Sequence, residues 1–259
     1  MVIELVRNNK HYVLKNVPTL GSFAFFPSFP DKILPVQSFD LACSQNGHLP
    51  SLAHSVAIRS AFYEDNKKTE KGFDCSNEPQ YLSTISIKFL QEGIPHIAFT
   101  ELDMSTESKD LLQKGYNANS NNKDLFLPLQ DSLVSKLLNA SRKSKRIVPA
   151  LDSNPLTLSL DSEYGSHPYN IALFGSQDIA QLNAEYLQQN ILPEQEPQEF
   201  IYDYTGKDLK SILHGKEESA LIRLVTLGGT GFLQYNYDVI VCGVFNGKGK
   251  SRSIHTRKK

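Results

Sequence analysis

The sequence predicts an α/β fold: a mixed sheet with flanking helices, an N-terminal hairpin and a C-terminal antiparallel meander. Three observations predict it. Strand-like and helix-like apolar spacings alternate through the middle of the chain, the pattern of helices laid over a sheet. The opening stretch "VIELVRNNKHYVLKNV" sets two β-rich runs around Asn8-Asn9, a pair that tolerates left-handed turn geometry. Near the end, "ALIRLVTLGGTGFLQYNYDVIVCGVFNGKGKSRSIH" strings apolar runs between Gly-rich turns. The 259 residues suit a single α/β domain, with a possible internal boundary at the 115–124 loop.

After the hairpin, "PTLGSFAFFPSFPDKILP" carries four prolines and reads as a packed, irregular loop. "LPSLAHSVAIRSAFYED" is a helix: Pro50 suits a first helical position, and Leu52, Val56 and Ala57 share a face. "EDNKKTEKGFDCSNEP" is a polar surface loop. A second helix is expected from Pro79, with Leu82, Ile85 and Phe89 on one stripe and Gly93 and Pro95 ending it. "HIAFTEL" reads as a buried strand and "STESKDLLQK" as a short capped helix. "GYNANSNNKD" is rich in Asn, Ser and Gly, hence an exposed loop.

"DSLVSKLLNASRKSKR" is a helix with Leu133, Val134, Leu137 and Leu138 inward. "IVPAL" and "LTLSL" are short strands and "YNIALF" a buried one. "SQDIAQLNAEYLQQN" is a helix with Ile179, Leu182 and Tyr186 inward. "EFIYDY" is a strand and "GKDLKSILHG" a short helix.

A net charge of −1 gives the whole chain no bias toward nucleic acid or acidic membranes. Cys43, Cys75 and Cys242 are too few and too scattered for a disulfide framework, so a reducing, cytoplasmic setting is expected. "MVIELVRNNKHY" lacks the apolar core of a signal peptide, and "VIVCGVF" is too short to span a bilayer, so no membrane partner is expected. The sequon Asn139-Ala140-Ser141 falls inside a helix and reads as chance. No G-x-S-x-G elbow supports a hydrolase triad.

The junction "LFGSQD" could hold a phosphate at Gly175, Ser176 and Gln177, where a helix start offers unpaired N–H groups. Equally, Ser176 caps the helix and Gly175 makes the turn; no G-x-G-x-x-G or Walker lysine accompanies them. "LGGTGF" lies between strands and suits a hairpin turn.

Glu101, Asp103, Asp152 and Asp203 each follow a strand and are the candidate catalytic carboxylates. On neighbouring parallel strands they would share one rim. There Asp103, Asp152 and Asp203 would hold Mg²⁺ or Mn²⁺, which could polarise a phosphoryl group or activate water. Acids in such places also serve as turn formers and caps. Cys43, His48, His54 and Cys75 match no zinc spacing.

Arg142, Lys143, Lys145 and Arg146 end a helix, where cations complement its dipole. The basic tail offers Lys248, Lys250, Arg252 and Arg257 to a nucleic acid, with Tyr235 and Tyr237 able to stack on bases.

The expectation is an intracellular α/β protein handling a small phosphorylated or nucleotide ligand, as a divalent-metal-assisted hydrolase or phosphoryl-transfer enzyme. The alternative is a non-catalytic nucleic-acid- or protein-binding module that uses the basic C-terminal tail. The enzyme expectation requires the three carboxylate-bearing strands to run parallel.

Overall fold

The computed structural model describes residues 3–7, 11–25, 35–44, 46–66, 80–121, 123–151, 163–190, 206–227, 233–234 and 244–246. The hairpin forms as expected: β1 (Glu4–Arg7) pairs antiparallel with β2 (Tyr12–Val17). Part of the stretch expected as irregular loop is regular. Phe23 and Phe25 alternate into the core along β3 (Gly21–Phe25), and Pro35 opens α1 (Pro35–Ser44), a position its fixed φ favours. Then comes α2 (Leu52–Asn66).

The helix expected after Pro79 is a strand. β4 (Gln80–Gln91) turns at Glu92-Gly93 into β5 (Ile94–Glu101), forming a long antiparallel hairpin. Ile85, Ile87 and Phe89 alternate along β4, and all are buried. Both turn residues take positive φ, 53° and 76°, as a two-residue primed turn requires.

α3 (Thr106–Ser120) runs through much of the segment expected as the 115–124 loop. Gly115 lies close against β8: a Cβ on it would meet the Leu224 side chain at 3.0 Å. β6 (Leu125–Pro128) follows, then α4 (Ser132–Lys143), whose N-cap Asp131 accepts from the Leu133 and Val134 amides. β7 (Ile147–Pro149) is the expected short strand.

"YNIALF" is not a strand but part of α5 (Pro168–Phe174), with Pro168 in its first turn. α6 (Gln177–Asn190), α7 (Gly206–Ile212), β8 (Ser219–Leu227), β9 (Leu233–Gln234) and β10 (Val244–Asn246) complete the order. β8 and β9 are antiparallel neighbours, but β10 leaves them to pair with β3.

Two sheets result, ordered β1-β2-β3-β10 and β6-β8-β4-β5-β7, with β9 beside β8. Every pairing among the described residues is antiparallel. The larger sheet is covered on both faces. One face (Ile85, Ile87, Ala98, Ile222, Leu224) packs on Phe39 of α1, Leu111 and Leu112 of α3, and the α4 stripe of Val134, Leu137 and Leu138. The other (Leu82, Ile97, Phe99, Leu221, Val225) meets α2, α5, α6, α7 and the inner side of the small sheet. Each fully buried aliphatic side chain contributes about 1.5–3 kcal/mol, so the two covers hold the central strands from both sides.

Candidate functional site

The junction at 168–188 joins two helices. Gly175 takes φ 83° as the left-handed C-cap of α5, and its N–H donates to the Ile171 carbonyl. Ser176 Oγ accepts from the Ile179 amide at 3.2 Å and lies 3.4 Å from Thr19 Oγ1. Gly175, Ser176 and Gln177 therefore act as a C-cap, an N-cap and a first helical turn, which accounts for their chemistry without a phosphate.

Beneath Gly175 lies Arg146, buried and not part of a solvated basic end as the sequence suggests. Its Nε donates to the Ala172 carbonyl at 2.7 Å and its Nη2 to that of Leu173 at 2.9 Å. Its Nη1 donates to Glu101 Oε1 at 2.5 Å. Glu101 Oε2 in turn accepts from Thr84 Oγ1 at 2.6 Å and Ser83 Oγ at 3.3 Å. Two of the sequence candidates, Glu101 and Gly175, are thus brought together through Arg146. The arrangement is a clasp: it ties the end of β5 to the last carbonyls of α5 and occupies both oxygens of Glu101.

His54 stands close to this clasp. Ser51 is the residue before α2, and its Oγ lies 2.7 Å from His54 Nδ1 while also accepting from the His54 amide. Burial, reinforced by His48, pushes the His54 imidazole down to about 4, against an opposing pull from Glu101. A neutral ring that accepts on Nδ1 carries its proton on Nε2, so the pair caps a helix reciprocally.

Asp103 is fully engaged at the opposite cover. Lys136 Nζ donates to Oδ2 at 2.7 Å, while the Ser105 and Ser108 hydroxyls and the Ser105 amide donate to Oδ1. The Lys136 bond, then those of Ser105 and Ser108, hold this carboxyl well below the usual range. Asp103 fixes the start of α3 and its contact with α4; it is not an open metal ligand.

The parallel strand neighbours that a shared rim needs are absent among the described residues. β7 pairs antiparallel with β5, setting Pro149 beside His96. The chain therefore leaves β7 at the start of β5, the end remote from Glu101. Asp152 and Asp203 lie outside the described residues, as do Cys75, Tyr235, Tyr237, Lys248, Lys250, Arg252 and Arg257. Among the described residues no cluster of three His, Cys, Asp or Glu could hold a metal ion.

A concave surface lies elsewhere. A groove of about 310 Å³ runs between α4 and the last residues of β4, Phe89 to Gln91, with Leu129 closing one side. α4 contributes Ser135, Leu138, Asn139 and Arg142. Their spacing is i, i+3, i+4, i+7, one continuous shoulder of the helix. The floor is apolar and the rim polar. Ser135 Oγ donates to the Leu129 carbonyl at 3.0 Å, and Arg142 Nη1 donates to Asn139 Oδ1 at 3.1 Å. No ion pair holds Arg142 among the described residues. Across the hairpin, Gln91 pairs with Ile94, the large apolar side chain left most open among the described residues, at 55% exposure. Sequence reasoning missed this site; its available signal was the amide and cation on the shoulder beside the inner stripe of α4.

No family model and no curated protein matches the chain. Among solved structures it is similar to a C-type lectin fold protein from Nanoarchaeota, in which that fold accommodates massive sequence variation. Identity is 16%, 86% of this chain and 95% of that chain are covered, and the TM-score is 0.47. The expectation of a metal-assisted hydrolase or phosphoryl-transfer enzyme is overturned. Those of its residues that are described are structural clasps and caps, and the described strands are antiparallel rather than parallel. The residues of the tail-based binding alternative lie outside the described set. No helix among the described residues is long and apolar enough to cross a membrane.

Proposed function

We propose that this protein is a recognition domain whose ligand lies in the groove between α4 and the end of β4. The observation that carries it is the make-up of that groove: an apolar floor of Phe89, Leu129 and Leu138 under a rim of amides and one guanidinium. In a ligand site apolar contact supplies affinity and polar groups fix orientation; here four apolar and four polar residues share the lining. The lining groups bind and orient; Ser135 already donates to a backbone carbonyl, and no base stands among the described lining residues of the groove. The ligand class is amphipathic, with an apolar body on the floor and a negative end at Arg142. A cytoplasmic setting fits the free, exposed thiol of Cys43.

Octanoate is the probe for the test, followed by the amide and methyl resonances of the protein. Shifts confined to Leu90, Leu129 and Leu138 are expected. Asn139→Trp, on the exposed rim, should fill the groove and remove them while leaving the fold intact. Shifts scattered over the surface, or persisting in Asn139→Trp, would overturn the reading.

A further inference from the structure

We infer that the natural occupant of this groove is an extended acidic segment of a partner protein, carrying one apolar side chain among Asp or Glu residues. This rests on the reading of the groove as a ligand site and adds the class of the partner. Length comes first. From Ser135 to Arg142 the α4 shoulder rises about 10 Å at ~1.5 Å per residue. That matches roughly three residues of extended chain at ~3.3 Å each. The cavity therefore suits one anchor side chain with its neighbours on either side.

Charge comes second. From Ser132 to Arg146 the chain holds Lys136, Arg142, Lys143, Lys145 and Arg146 and no acid. Lys136 and Arg146 are committed to Asp103 and Glu101. Arg142, which lines the groove, is exposed, as are Lys143 and Lys145, which follow it in the chain. A ligand seated there meets positive charge on the α4 side, and no carboxylate lines the groove. Complementary charge of this kind selects the partner and speeds its approach.

Apolar surface comes third. A single exposed isoleucine is ordinary on any protein. Ile94, however, projects on the same side of the hairpin as its cross-strand partner Gln91, which lines the groove. An extended chain leaving the groove across the hairpin would cover it. A small carboxylate could fill the floor but would not reach Ile94.

The test uses a fluorescent peptide of roughly ten residues, a central Leu flanked by Asp and Glu, and a twin with Asn and Gln in place of the acids. The acidic peptide should bind the full-length protein, weaken as salt is raised, and bind at least ~10-fold more tightly than the neutral twin. Arg142→Glu should remove most of that difference, and Ile94→Ser should weaken both peptides. Both positions are exposed, and far-UV circular dichroism should be unchanged. Equal binding of the two peptides, unaltered binding by Arg142→Glu, or no binding of either would overturn the inference. If octanoate still occupies the groove in that case, only the partner class falls. If octanoate also fails, the recognition reading falls with it.

Discussion

Arg146 shows how much one side chain can fix. Its guanidinium donates to two carbonyls at the end of α5 and to a carboxylate at the end of β5. A planar guanidinium is suited to this, because its donors diverge in fixed directions. His54, whose ring feels the charge of Glu101, sets a pH dependence. In the unfolded chain its imidazole titrates near the ordinary 6.5; in the folded protein burial and His48 lower it to about 4. Between those values the unfolded state binds more protons, so stability rises with pH there. The contribution is whole above about 6.5 and is lost as pH falls toward 4, on the order of 3 kcal/mol in all. Urea melts across this range should show the slope in the native protein and a flatter profile in His54→Gln. Its side-chain oxygen can still accept from Ser51, but it has no proton to gain. An unchanged slope in that variant would place the titration elsewhere.

Elements here are decided by turns and caps as much as by apolar spacing. Glu92-Gly93 folds β4 back on β5 with both residues at positive φ. Glu92→Asn should stabilise the hairpin by about 0.5–1 kcal/mol, since Asn-Gly is the preferred primed turn. Gly93→Ala should cost about 1 kcal/mol through φ alone, because nothing lies within 4 Å of its missing Cβ. Thermal melts of the two variants should move in opposite directions; the same direction in both would mean that the turn does not govern pairing.

The same hairpin explains what could be read in advance. α2, α4 and α6 were legible because each puts apolar residues on one face and polar ones on the other. β4 was not: Thr84, Ser86 and Lys88 are buried alongside Ile85, Ile87 and Phe89. With both faces inside, the polar-out alternation of a half-exposed strand disappears, and Leu82, Ile85 and Phe89 mimic a helical stripe. α5 failed in the opposite sense. It is short and nearly all buried, so its apolar run resembles a strand, and only Pro168 after His167 marks a helix start. Glu101 was found as a residue, but its partner Arg146, far along the chain, could not be inferred from spacing. The groove needed the register of β4 against α4, which no local pattern carries.

At the scale of the whole molecule, the chain closes both sheets late. β8 enters the large sheet between β6 and β4, and β10 completes the small sheet beside β3. Neither sheet is finished until residues near the C-terminus arrive. Such non-local pairing slows folding, because loop closure must precede the contacts that reward it. The two late strands differ in consequence. β8 is central: Leu221, Ile222 and Leu224 are buried across its two faces, so without it both covers lose their floor. β10 is an edge of three residues, pairing Val244–Asn246 with Phe25–Phe23. Phe23 and Phe25 stay packed on the large-sheet core without it. A chain ending at residue 243 should therefore fold, and its β3 amides facing the lost strand should exchange at least ~10-fold faster. Those of β4 and β5 should hold their protection. Hydrogen exchange resolved by residue separates the cases: general loss of protection would make β10 a structural necessity, and unchanged β3 amides would show that β10 does not guard that edge.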